Sequence, residues 1–146
     1  MKRSFASIVL LAFAATAALA GPVEDREALM KERGATVGAL AKFAKGETPY
    51  DPAAVLEQLN KLEANGKKTD IDVLWAASET GNTAGSPSSA PKIWEDMAGF
   101  KAEETKFETA VAAAVAAAPA DAAALGPLLG PIGASCGACH EAYRAR

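Results

Sequence analysis

Cys136-Gly137-Ala138-Cys139-His140 is the stretch that decides how this chain is read, and it stands close to the terminal Arg146. C-x-x-C-H is the attachment sequence for c-type haem, in which two thiols form thioether links to the porphyrin vinyls and the histidine ligates the iron. At about 100° per residue on a helix, Cys139 lies about 60° to one side of Cys136 and His140 about 40° to the other, so all three project from one face. The chain has two cysteines and one histidine, all of them in this motif. A closed zinc site asks for four Cys or His ligands, more than these three supply. A thioredoxin-like dithiol opens a helix in a βαβ context, and no strand pattern precedes this one. A redox dithiol or a structural disulfide is the remaining alternative, and haem attachment is the reading the residues favour.

The first twenty residues say where that chemistry takes place. Lys2 and Arg3 form a basic start, Ser7 to Leu19 is an apolar run, and Ala18-Leu19-Ala20 is a small-x-small cleavage signal. This pattern is a secretory signal peptide cut after Ala20. A membrane anchor competes with it, but the run falls short of the roughly 20 residues that span a bilayer. Export to the periplasm suits the cysteines, because thiols and haem would meet there after translocation.

The remaining chain, Gly21 to Arg146, is long enough for one domain with a real core. It carries 13 basic residues against 18 acidic ones, a net charge of −5. No basic patch points to nucleic acid or to an anionic membrane, and the mature chain is expected to have no membrane span. An acidic surface suits a basic or neutral redox partner, although moderate charge also serves solubility alone.

Helical periodicity runs through the rest of the chain. A first helix spans Val23 to Lys45, with Glu24 and Asp25 in its first turn, Lys42 and Lys45 in its last, and Gly46 closing it. Its inward stripe is Arg26, Leu29, Met30, Val37, Leu40, Ala41 and Ala44. Gly34 and Gly38 interrupt the helix and suggest close approach by another helix or a ligand. A second helix starts after the N-cap Asp51 and Pro52 and runs to about Ala64, with Asn65-Gly66 as a left-handed end. Lys67 to Ala90 reads as a long irregular connection with Val73, Leu74 and Trp75 as an apolar knot, Trp75 on the core and the Gly81 to Ser89 segment at the surface.

A third helix begins near Ser89 or Pro91 and continues to about Ala118 through Ile93, Trp94, Met97, Phe100, Phe107 and Val111; Pro119 stops it. The last helix opens at the N-cap Asp121 and carries Leu125, Leu128, Leu129 and Ile132 into the haem motif. Pro127 and Pro131 each remove a backbone hydrogen bond, which predicts a kink or non-helical turn within 126–133 and regular helix from Ala134 to Arg144. Four helices without strands, joined by short links except one, imply an all-α antiparallel four-helix bundle with covalently attached haem between its helices.

This arrangement resembles the class II c-type cytochromes, the cytochrome c prime family, in which a four-helix bundle carries C-x-x-C-H near its C-terminus. The resemblance covers essentially the whole mature chain. Beyond the motif it rests on Arg26, the segment from Lys45 to Asp51 with its Pro49-Tyr50-Asp51, Ile93-Trp94, Ile132-Gly133-Ala134-Ser135, and His140-Glu141-Ala142-Tyr143-Arg144. It implies one haem c per chain, with Cys136 and Cys139 as thioether attachments and His140 as proximal iron ligand. It further implies Arg26 near a haem propionate, Arg144 near the proximal face of His140, and Trp94 and Trp75 as haem-packing aromatics, although solvated helix surface or plain core packing explains these four as well. Many family members dimerise through their first two helices, so a homodimer is open here.

The other axial position decides the function. Low-spin members of the family use a methionine on the first helix, whereas five-coordinate members place a non-bonding residue there and bind nitric oxide or carbon monoxide; that position is Met30 here. After signal removal the methionines are Met30 and Met97, and Met97 reads as core filler beside Trp94 and Phe100. Ala28-Leu29-Met30-Lys31, Gly137 and Pro131-Ile132-Gly133 resemble the low-spin subgroup. The expectation is therefore a periplasmic electron-transfer protein cycling Fe(III)/Fe(II) with His140 and Met30 as ligands, with a five-coordinate gas binder on the Met30 side as the alternative. Enzymatic activity is not expected: no distal histidine, paired carboxylates or Ser/His constellation is present for acid/base work.

Overall fold

The computed structural model describes residues 21–76 and 88–145, and their regular structure is helical: α1 (Pro22–Ala44), α2 (Pro52–Lys68), α3 (Ile71–Leu74), α4 (Lys92–Glu95), α5 (Met97–Ala117) and α6 (Ala122–Tyr143). Strand-like pairing among the described residues is limited to an isolated bridge between Ser89 and Arg144. The four long helices form a ring in which α1 packs on α2, α2 on α5, α5 on α6 and α6 on α1. At one end, the Tyr50 hydroxyl after α1 donates to the Pro119 carbonyl after α5 at 2.7 Å. At the other, Ala90 before α4 donates to the Tyr143 carbonyl at the end of α6. Successive long helices therefore run in opposite directions, and this is the antiparallel four-helix bundle expected.

Local chemistry sets the helix starts. Asp51, Asp96 and Asp121 each accept a hydrogen bond from the first turn that follows, at Ala53 and Ala54, Gly99 and Ala124. Each such cap is worth about 1 kcal/mol. The core has two parts. Leu40, Val55, Leu59, Leu62, Phe107, Val111, Ala114, Leu125 and Ile132 fill the bundle towards the start of α6. Ile71, Leu74, Trp75, Ile93, Phe100 and Tyr143 fill the end where α6 finishes, with Met30 and Cys139 both packed against them.

Several boundaries differ from the sequence reading. Asn65 and Gly66 are buried inside α2, which continues to Lys68. Asn65 is held there by side-chain hydrogen bonds to α1, and Gly66 lies against Glu108 and Phe107 of α5, a Cβ at its position reaching ordinary contact distance of both. The third helix is broken at Asp96, whose carboxylate caps α5 and also accepts from the Tyr143 hydroxyl at 2.9 Å. Val73 is 61% exposed, outside the knot that Leu74 and Trp75 form, because the single turn of α3 turns it away from them. Nothing lies within 4 Å of a Cβ built on Gly34 or Gly38, so no second helix approaches there. Most of the Gly/Ser segment falls outside the described residues.

The largest difference is α6, which runs through Pro127 and Pro131 without a non-helical turn. Proline disfavours helix at the residue before it because its Cδ meets that residue's Cβ. Here the preceding residues are Gly126 and Gly130, which have no Cβ, and both prolines are exposed, so the carbonyls left unpaired one turn back can reach water. By length and mean hydropathy α6 could cross a membrane. In this fold it is a bundle helix that buries Leu125, Ile132, Ser135 and Tyr143.

A following proline removes the usual gain from replacing a helix glycine. Gly133→Ala, on the exposed face with no proline after it, should stabilise by about 0.5–1 kcal/mol. Gly130→Ala should give no gain, since its new Cβ meets the Pro131 ring. Thermal unfolding of the two variants checks this, and equal gains would contradict it.

Candidate functional site

At the end of the bundle where α6 finishes, the helices part around a cavity of about 590 Å3. Sites for cofactors commonly fall between about 300 and 1,000 Å3. Cys136, Cys139 and His140 line it from α6, so the one-face geometry expected of an i, i+3, i+4 set is present. Met30, Gly34 and Val37 line it from α1, and Trp75, Ile93, Phe100 and Phe107 supply further apolar wall. Arg26 and Arg144 both reach the cavity. Arg26 is 5% exposed, with its guanidinium 5.5 Å from the Trp75 ring centre, and Arg144 is exposed beside the Ser89 bridge.

Trp75 folds onto the core as expected, in edge contact with Phe100 at 5.0 Å and donating to Ser89 at 3.2 Å. Trp94 is not a cavity wall. It packs against the neighbouring cluster, with its indole N–H donating to the Ala76 carbonyl at 3.1 Å, so plain packing accounts for it. Met97 packs in the same cluster and is also absent from the cavity lining, as a core filler would be.

Burial shifts the titration of all three motif side chains. His140 presents an exposed edge, yet partial desolvation and then the Arg144 and Arg33 cations push its imidazole below the usual range. It is therefore neutral near pH 7, as a metal ligand must be. Burial is the main cause that raises the Cys136 thiol and pushes Cys139 up to about 11. Both are free thiols in this structure, kept protonated at neutral pH rather than reactive.

One part of the wall has no counterpart in the sequence reading. Arg33, 7% exposed, donates to both carboxylate oxygens of Glu104 at 2.9 and 2.6 Å, to Asn65 at 2.9 Å and to Thr69 at 3.0 Å. Its guanidinium lies 3.9 Å over the Phe107 ring. Asn65 in turn donates to the Leu29 carbonyl and to Glu32, both at 3.0 Å. Removing one partner of such a pair costs about 3–5 kcal/mol, because the other charge stays buried. Arg33 fills the gap between Met30 and Val37 on the inward stripe of α1, and Glu104 falls between Phe100 and Phe107 on that of α5. Two opposite charges at apolar positions were the available signal.

The residues fit haem. Two thiols and a neutral imidazole project from one helix face into an apolar cavity of suitable volume, opposite a thioether and beside two arginines able to meet carboxylates.

Residues 21–144 match the family described as Cytochrome C'. The chain is 40% identical over 127 residues to cytochrome c-556 of Agrobacterium fabrum, covering 87% of this chain and 83% of that one. It resembles the solved cytochrome c' from Rhodobacter Spheriodes with a TM-score of 0.77 at 33% identity, over 86% of this chain and 95% of that one. A nitric oxide complex of a cytochrome c prime mutant from Alcaligenes xylosoxidans matches with a TM-score of 0.70 at 32% identity, over 87% and 98%.

The raised thiols give a test on the haem-free chain. Alkylation of Cys139 should be slow near pH 7 and accelerate until about pH 11, while in denaturant it should level off near the free-thiol range of about 8.5. Peptide mapping against pH measures this, and identical profiles for folded and denatured chain would contradict the burial.

Proposed function

The chain belongs to the cytochrome c′ family, and from that premise we propose that it is a periplasmic one-electron carrier with His140 and Met30 as axial ligands to its iron. Haem c is its cofactor, and when bound it supplies the one-electron Fe(III)/Fe(II) couple. Cys136 and Cys139 provide the two thioether attachments and fix the ring against α6. His140 offers its neutral imidazole from the same face. Arg26 and Arg144 meet the propionates and the proximal edge. The apolar wall excludes water, which keeps the surroundings from reorganising as charge changes.

The observation that carries the reading is that Met30 lines the same cavity as Cys136, Cys139 and His140 and packs on the same cluster as Cys139. A thioether opposite a histidine raises the haem potential and leaves no open position for substrate. Residues 1–20 act as the signal peptide, and a family match that begins at residue 21 supports cleavage after Ala20. Electrons pass to and from partner proteins at the cavity mouth, where His140 and Arg144 are exposed. A homodimer through α1 and α2 is compatible with this use.

A second reading has one observation in its favour. The Alcaligenes relative is described as a nitric oxide complex, and Gly34 leaves open space on the Met30 side of the cavity. In that reading Met30 is a wall residue and a small gas binds beside it.

Met30→Ala separates the two. The carrier reading expects the oxidised protein to become high-spin, the reduced protein to take up carbon monoxide rapidly, and the potential to fall, since a methionine ligand raises it. Spectra and potential unchanged by Met30→Ala would refute ligation.

A further inference from the structure

We propose that the buried network of Arg33, Glu104, Asn65 and Thr69 is a clamp that sets the position of the Met30 turn relative to the cavity. This deepens the reading of Met30 as the sixth ligand and rests on it. Whether a side chain on α1 reaches an iron held by α6 depends on where the α1 backbone lies at that level. Asn65 fixes that backbone directly: its amide donates to the carbonyl of Leu29, the residue before Met30, at 3.0 Å. Its own oxygen accepts from Arg33 Nε, one turn after Met30, at 2.9 Å.

The clamp thus grips α1 on both sides of Met30. Arg33 then carries the load across the bundle, with its planar fork matched to both oxygens of Glu104 on α5 and a further donor on Thr69, whose hydroxyl closes the last turn of α2 on the Asn65 carbonyl. Three helices are tied at one level, each contact is directional, and Arg33 and Glu104 are themselves cavity wall. An apolar contact at this level would allow α1 to slide or roll by an ångström at little cost, whereas these bonds lengthen beyond use with such a shift. They therefore position Met30 without touching it.

The test uses the mature holoprotein in three variants. Asn65→Leu keeps the approximate shape of the residue and removes its bonds to Leu29, Glu32 and Arg33 without adding a charge, while Arg33 stays paired with Glu104. The double variant Arg33→Leu with Glu104→Leu removes the fork and both charges together, so no buried charge is stranded and no new thioether enters the cavity. Val111→Ala, in the other half of the core, is a control for plain destabilisation. Carbon monoxide association with the reduced protein, the high-spin fraction of the oxidised protein and the melting temperature are read for each.

Both clamp variants should bind carbon monoxide about tenfold faster, through a larger population with Met30 off the iron, and show a high-spin fraction that the native protein lacks. Val111→Ala should lower the melting temperature while leaving both readouts native. Native readouts in the clamp variants, or equal changes in Val111→Ala, would overturn the clamp. A native protein that is itself high-spin would refute ligation by Met30 and not the clamp, which then still requires the carbon monoxide rate to change in the two clamp variants and not in the control.

Discussion

One turn of helix has to offer two thiols and an imidazole to a single cavity, and most of the fold answers to that requirement. The turn lies near the end of α6, so α6 must reach it as a continuous helix, and the two Gly-Pro steps at 126–127 and 130–131 lower the cost of this relative to a residue with a Cβ before proline. The end of α6 must also stay fixed. Tyr143 is bonded to Asp96, its carbonyl accepts from Ala90, and its ring meets Phe100 at 5.2 Å. Asp96 thereby serves twice, capping α5 and holding the residue three positions after His140.

The opposite wall is built on a different principle. α1 has little apolar patterning of its own, with Arg26, Arg33 and Thr36 among its four buried residues. Directional bonds from α2 and α5 hold it beside the apolar contacts of Leu29, Met30, Val37, Leu40 and Phe43. Buried ion pairs seldom add stability over well-packed apolar groups, and the role proposed for this one is to specify one arrangement of α1 against α5. A wall that must face a cofactor across a cavity has few side chains opposite to pack against, and polar bonds to its flanks supply the definition that packing cannot.

The architecture and the attachment residues were legible because their signals are local. Helical periodicity, the aspartate caps at Asp51 and Asp121 and the motif spacing each act within a few residues, and all survive in the structure. Met30, Trp75, Arg26 and Arg144 line the cavity together with Cys136, Cys139 and His140. What escaped depends on contacts distant in sequence. Asn65-Gly66 has the composition of a helix end, and only partners 32 and 36 residues away make it a helix interior. The break at Asp96 depends on Tyr143, 47 residues on. Arg33 and Glu104, 71 residues apart, each look like surface charges until α1 and α5 are brought together. Pro127 and Pro131 were read by the general rule for proline, and the glycine before each is the local detail that lets α6 pass them without a non-helical turn.

The proposed carrier function rests on Met30 and His140 serving as the two axial ligands of one iron. The optical spectrum of the native holoprotein, oxidised and reduced, with and without carbon monoxide, tests that claim most directly. Low-spin spectra in both states, a weak far-red sulfur-to-iron band when oxidised and sluggish carbon monoxide uptake are the predicted result. A broad high-spin spectrum that shifts at once with carbon monoxide would contradict it and make Met30 a wall of a gas-binding pocket.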